Sequence, residues 1–178
     1  VLSRVVSIRG YIGGQVFTNY IYYIKFVPIK KKSESPNALK LFIQDVGVPS
    51  RMHTDGAKEL VLSDWKRICT KYDIIQTVTE AESPWQNRAE TAIRELKKSA
   101  SLLMTRKNAP LRLWCFAMEY AAEIRCLTAT KMFQGEGLTP YEMLTGNTPD
   151  ISEYVEFEWY GMSGMLILGP FHRKEFTW

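Results

Sequence analysis

Two carboxylates stand out from the chain's 19 acidic residues by the company they keep. Asp55 lies in "HTDGAKEL" at 53–60, where a short run of strand-type residues meets an Asp-Gly turn. Glu90 lies 35 positions later in "SPWQNRAE" at 83–90, where a proline and an amide precede a run with helical spacing. The end of a strand and the start of a helix can share one crevice of an α/β sheet. Two carboxylates brought together there repel unless a cation such as Mg²⁺ lies between them, and Mg²⁺ keeps waters that substrate phosphates can replace. The pair therefore offers metal-assisted chemistry at a phosphate. Each residue also has a plain reading: Asp-Gly is a common turn, and a glutamate in a first helical turn suits the helix dipole.

The residues around Glu90 extend both readings. At roughly 100° per residue, Ala89, Ile93, Leu96, Ala100 and Leu103 gather on one side of a helix. Glu90, Arg94, Lys97, Lys98 and Ser101 gather about a third of a turn away. That second face is either a solvated flank with a Glu90–Arg94 pair worth about 0.2–0.5 kcal/mol, or a basic strip able to lie along a phosphate backbone. Asn87 precedes the helix and can cap it or touch what the strip binds.

The positioning elements follow from residue type. "QVFTNYIYYIKFVPI" at 15–29 is rich in β-branched and aromatic residues, with a polar break at Thr18-Asn19, and predicts a hairpin. Ser35-Pro36 predicts a helix start with a serine cap, Ala38, Leu39, Leu41, Phe42 and Val46 its apolar stripe, and Gly47 its end. A strand is expected over Arg51–Thr54, a helix over Leu62–Tyr72 and a strand over Ile74–Val78. Long helices are expected over Asn87–Arg106 and Leu111–Met132. Strands, then helix-strand alternation, then two long helices give an α/β class with a mixed sheet.

Bulk properties agree with one globular core. The apolar fraction is 46% and the charged fraction 24% over 178 residues. No apolar run is long enough for a bilayer span, the start has no signal-peptide pattern, and an intracellular chain with no membrane partner is expected. Without an initiator methionine, the sequence is expected to begin partway through a longer product. Cys69, Cys115 and Cys126 are odd in number and unrelated in spacing, which excludes a disulfide framework and a Cys-x-x-Cys zinc site. The net charge of +4 hides an asymmetry. Residues 1–132 hold 21 Lys/Arg against 12 Asp/Glu, and residues 133–178 hold 2 against 7, so the body suits a polyanionic partner.

The words "HTDGAKEL" and "SPWQNRAE" resemble the catalytic core of retroviral-type integrases, above all that of copia-type retrotransposons. "ALKLFIQDVGVPSRMHTDGAKEL", "IRELKKSASLLM", "RLWCFAMEYAAEIRC" and "LTPYEMLTGNTPDISEYVEFEWY" carry the resemblance in the same order to about Tyr160. It implies an RNase H-like mixed sheet flanked by helices. It also implies an Asp-Asp-Glu triad holding two Mg²⁺ or Mn²⁺ ions, for DNA 3′-end processing and strand transfer. One ion would activate water or a 3′-hydroxyl, and the other would stabilise the leaving oxygen. By the same resemblance Asp55 is the second aspartate and metal ligand, Glu90 the glutamate and metal ligand, and Arg94 and Lys97 contacts to the transposon end, with Asn87 and Lys98 beside them as further candidate nucleic-acid-binding residues. The implied partners are transposon-end and target DNA and further copies of the chain, and the implied location is the nucleus.

The pattern has gaps. No aspartate lies between Val1 and Gln44, where the family's first ligand belongs on the opening strand. It is expected immediately upstream of Val1, so the opening strand is expected to be truncated and this polypeptide inactive. Ala81-Glu82 stands where relatives carry a Pro-His-like pair. The only histidines, His53 and His172, lie 119 positions apart and cannot form the family's zinc module, so His53 is expected to be structural. The expected division is a partial core at 1–132, a helical extension at 133–160 and an atypical tail at 161–178. That tail is read as a frameshift product with poor local order. An alternative function is a domesticated, non-catalytic module that binds DNA or protein.

Overall fold

A computed structural model describes residues 1–54, 63–78, 88–129, 137–151, 158–160, 165–168 and 172–175. Strand β1 (Gly13–Thr18) pairs antiparallel with β2 (Ile24–Ile29) from Gly13↔Ile29 to Thr18↔Ile24. The polar break read in the sequence is the turn. The Asn19 side chain accepts from the backbone N–H of Ile21 at 3.1 Å and of Tyr23 at 3.0 Å, closing a loop in which Tyr22 takes φ 60°. At the other end of the hairpin the first residues run alongside β1. The Val1 amino group donates to the Gly14 carbonyl and the Gly14 N–H to the Val1 carbonyl, both at 2.9 Å, and Leu2 bridges Gly13.

These contacts fix which way the hairpin's backbone points. Gly14 spends its polar groups on Val1, so the even-numbered residues of β1 face away from β2. The register then turns Ile24, Phe26 and Pro28 toward the outer edge of β2. Proline at such an edge costs no ladder bond. Side chains alternate as well. Val16, Ile24 and Phe26 enter one core with the long helices, whereas Phe17, Val27 and Ile29 enter a second core on the opposite face.

Helix α1 (Ser35–Val46) and α2 (Ser63–Lys71) cover the second face. Ala38, Leu39 and Ile43 are buried, Phe42 stacks on Phe17 at 4.6 Å, and Trp65 lies parallel to Phe17 at 6.3 Å. The start of α1 differs from the sequence expectation. Glu34 is the cap residue, and the Ser35 hydroxyl turns back to the Lys32 carbonyl at 2.9 Å. The stripe differs too: Leu41 is exposed and Ile43 takes the core position. Gly47, at φ 109°, ends the helix as expected. Strand β3 (Arg51–Thr54) then pairs in parallel with β4 (Ile75–Val78), with α2 between them in the chain, as a βαβ unit requires.

Helix α3 (Arg88–Arg106) and α4 (Trp114–Leu127) cover the first face. The apolar arc of α3 is centred where the angular reading puts it. It is broader, however, burying Ala92 and Met104 beside Leu96 and Ala100, because both the hairpin and α4 pack on it. Full burial of a side chain such as Leu96 or Phe116 contributes roughly 1.5–3 kcal/mol. The expected long helix to Met132 stops at Leu127. Before it a 3-10 turn spans Leu111–Leu113, and after it Thr128 is extended, its hydroxyl donating to the Ile124 carbonyl at 2.7 Å.

Helix α5 (Pro140–Thr145) opens with a capping box between Thr139 and Glu142 and ends at Gly146 with φ 74°. Beyond it, β5 (Glu158–Tyr160), β6 (Met165–Leu168) and β7 (His172–Glu175) form a three-stranded antiparallel sheet with β6 in the centre. Strand β6 falls within the stretch "GMLILGPF".

Candidate nucleic-acid interface and carboxylate site

Asp55 and Asn87 lie outside the described residues, as do Ala81 and Glu82. The structure therefore places their neighbours rather than the residues themselves. β3 ends at Thr54, immediately before Asp55, and because β3 and β4 are parallel, Thr54 and Val78 end on the same side of their sheet. Beyond Val78 in the chain, α3 begins at Arg88 and carries Glu90 in its first turn, exposed.

The basic strip is on the surface of α3 as the angular reading expects. Glu90, Arg94, Lys97, Lys98 and Ser101 are all exposed, and the buried residues of the helix lie on its other side. Glu95, on the flank toward α4, is taken up by Arg125 in an ion pair that ties the two helices together. Lys97 also borders a cavity of about 430 Å³ between α3, α4 and the chain start. Leu2, Ser3, Ser101, Met104 and Trp114 share its wall.

The Nδ1 of His53 lies 2.9 Å from the Thr77 hydroxyl, across the β3–β4 pair. Asp45 is a surface residue that pairs with Lys25 at 2.8 Å, tying α1 to β2. All three cysteines are free and buried, and burial pushes each thiol pKa upward. Among the described residues no group of three or more His, Cys, Asp and Glu side chains is arranged to hold a metal. Glu90 is the one candidate ligand among the described residues and belongs to no such group there, so the described residues do not make up a two-ion centre.

Sequence reasoning missed a second feature, a cleft of about 450 Å³ along the outer edge of β2 between α1 and α4. Tyr23, Lys25, Asp45, Glu119, Glu123 and Cys126 contribute to it. Burial, helped by nearby acidic groups, raises the Tyr23 phenol to about 12. The only signal in the sequence is the i,i+4 pair Glu119 and Glu123 on an otherwise apolar helix.

No protein-family model and no curated protein matches the sequence. Solved structures do match. A chain of the simian T-cell lymphotropic virus intasome, solved in complex with the PP2A regulatory subunit B56 gamma, is similar over 85% of this chain with a TM-score of 0.60 and 15% identity. The HTLV-2 integrase catalytic core, in complex with magnesium in a trimeric form, is similar over 74% of this chain and 93% of its own, with a TM-score of 0.55 and 17% identity. The catalytic core of BIV integrase gives 0.54 over 74% of this chain and 91% of its own, at 16% identity. The chain has the fold of a retroviral integrase catalytic core. This integrase-like core spans 59% of the intasome chain and nearly the whole of the isolated cores. No helix among the described residues of the integrase-like core is long and apolar enough to cross a membrane.

Proposed function

We propose that this chain is a core segment of a copia-type retrotransposon integrase, and that the polypeptide binds DNA without completing strand transfer. The observation that carries the reading is the exposed face of α3. On it Glu90, Arg94, Lys97 and Lys98 lie together at the start of a helix, in a chain with the integrase core fold. Arg94, Lys97 and Lys98 neutralise phosphates of the transposon end. Asn87 caps α3 or contacts the same DNA, and Asp55 and Glu90 are the two surviving ligands of an ancestral Mg²⁺ or Mn²⁺ site. Residues 1–132 form the core, 133–160 an extension and 161–178 a tail foreign to the family. Further copies of the chain, transposon ends and target DNA are its partners, and the nucleus is where the ancestral reaction runs.

The reading of inactivity rests on the first aspartate of the family's triad, for which residues 1–44 offer no counterpart. A second reading, a domesticated binding module, is favoured by the same combination of an intact basic face and an incomplete carboxylate set. Binding of a labelled duplex to the purified chain, titrated with salt, tests the shared core of both readings. Affinity should fall steeply with salt and drop in an Arg94→Ala/Lys97→Ala variant. Salt-independent binding, or none, removes the DNA reading. Strand transfer in Mg²⁺ or Mn²⁺ that is lost in Glu90→Gln removes the claim of inactivity and leaves the integrase reading standing.

A further inference from the structure

The basic excess of the chain is not centred on α3. Residues 1–44 hold seven Lys/Arg and a single acid, Glu34. That acid is tied to the backbone, its carboxylate accepting the Lys30 N–H at 2.8 Å, while Lys30, Lys31 and Lys32 are exposed. Two of the seven cations are engaged elsewhere, Lys25 with Asp45 and Arg9 with Glu119. The other five are Arg4, Lys40 and a run of three lysines where the chain leaves β2.

This run stands beside an ordered corner. The Arg9 guanidinium lies 5.1 Å from the Tyr11 ring centre and 5.3 Å from that of Phe116, and the Lys30 ammonium lies 6.0 Å from Tyr11. Tyr11 packs against the core shared by α3 and α4, so the Lys30 head is held on that side of the hairpin. The distance to the α3 strip can be counted in strands. Lys97 shares a cavity wall with Leu2, Leu2 bridges Gly13, and Gly13 is paired with Ile29, the residue before Lys30. With neighbouring strands about 4.8 Å apart, Leu2 and Ile29 are roughly 10 Å apart across the end of the sheet. Duplex DNA carries a phosphate about every 3.4 Å of axis on each strand, so a single turn spans both clusters.

We propose that Lys30, Lys31 and Lys32 form a second phosphate-binding strip, which with the α3 strip grips one DNA duplex across the end of the hairpin. The proposal rests on the DNA-binding reading above and adds a contact surface to it. Glu34 serves by fixing the turn from which the three lysines project.

The test is the salt dependence of binding to a fluorescein-labelled 30-base-pair duplex by anisotropy. Four proteins are compared: the unaltered chain, Lys30→Ala/Lys31→Ala/Lys32→Ala, Lys30→Arg/Lys31→Arg/Lys32→Arg, and Arg94→Ala/Lys97→Ala. The alanine triple should weaken binding and flatten the log–log salt slope by about 2–3, near one per lost phosphate contact. The arginine triple should keep the slope, and the α3 variant should flatten it separately. A Lys31→Glu variant, at one exposed position, should weaken binding without changing the melting curve, which separates charge from folding. An alanine triple that binds like the unaltered chain while the α3 variant weakens overturns the second strip and leaves the DNA reading intact. No binding by the unaltered chain overturns both. Anionic-lipid vesicles bound as tightly as the duplex, with loss in the same triple, overturn the assignment to DNA.

Discussion

The Cys126 thiol sits against the backbone of Ile24, donating to its carbonyl at 3.1 Å and lying 3.2 Å from its N–H. Ile24 is the first outward-facing residue of β2, so the thiol closes a polar pair that the sheet leaves open, 102 positions away in sequence. Removing the sulfur strands both groups in a buried site and opens a small cavity. Cys126→Ala should therefore lower stability by about 1–3 kcal/mol. Cys126→Ser keeps a donor and an acceptor and should lose less. Urea midpoints for the two variants check the order, and equal losses would show that volume rather than hydrogen bonding sets the cost.

The same contact predicts an alkaline limit. Burial, the leading cause, raises the Cys126 thiol from 9.0 to about 11, and the Tyr23 phenol from 10.0 to about 12. Both groups favour the protonated form in the folded chain more than in the unfolded one. Their contribution is full below pH 9 and is lost as pH rises through about 11 for the thiol and about 12 for the phenol. Denaturant midpoints should hold between pH 7 and 8.5 and fall above it, with a smaller fall in Cys126→Ser. In native chains at pH 8 the three buried thiols should resist alkylation until denaturant is added.

Gly14 carries a second structural prediction. A Cβ built there would lie 2.2 Å from the Phe26 ring and 3.0 Å from the Val27 carbonyl, and Phe26 is buried with its edge against Trp114. The ring must shift to admit it, so Gly14→Ala should cost about 1–3 kcal/mol through overpacking. Phe26→Leu in the same chain should recover part of that loss, a coupling that a double-mutant cycle measures directly.

These relationships mark where sequence stops being informative. The hairpin, α1, β3 and the polar face of α3 are local: their signals are residue type, a polar break and a 100° period, all carried by neighbours in the chain. Ser35 shows how such a signal misleads. A serine before a proline reads as a cap, yet its hydroxyl bonds backward because a 3-10 turn at Lys32–Glu34 already leads into the helix. Leu41 and Ile43 exchange roles because packing on Phe17 and Trp65, not the amphipathic count alone, chooses the face of α1. The Cys126–Ile24 contact and the cleft beside it join segments about a hundred residues apart and leave no periodic trace. For the candidate site, the basic face was legible because it is one helix. A meeting of Asp55 with Glu90 is a property of the fold, and Asp55 lies outside the described residues.

Glu90 permits a last prediction that separates a metal ligand from a surface charge. It stands one turn before Arg94 on the exposed face of α3, so without metal its carboxylate repels any phosphate drawn to that strip. In EDTA and low salt, Glu90→Gln should bind duplex DNA roughly two- to fivefold more tightly, the size expected for one screened charge several ångströms from the backbone. Millimolar Mg²⁺ or Mn²⁺ then decides the role. If Glu90 and Asp55 hold an ion, the metal neutralises the carboxylates, and the gap between the variant and the unaltered chain closes at metal concentrations that leave Arg94→Ala unaffected. With too few ligands for a stable centre, the gap should persist apart from the general screening that an equal ionic strength of KCl reproduces. Unchanged DNA binding by Glu90→Gln in EDTA would place Glu90 away from the phosphate path and return it to its plain role in the first turn of α3, where its loss shows only in the melting temperature.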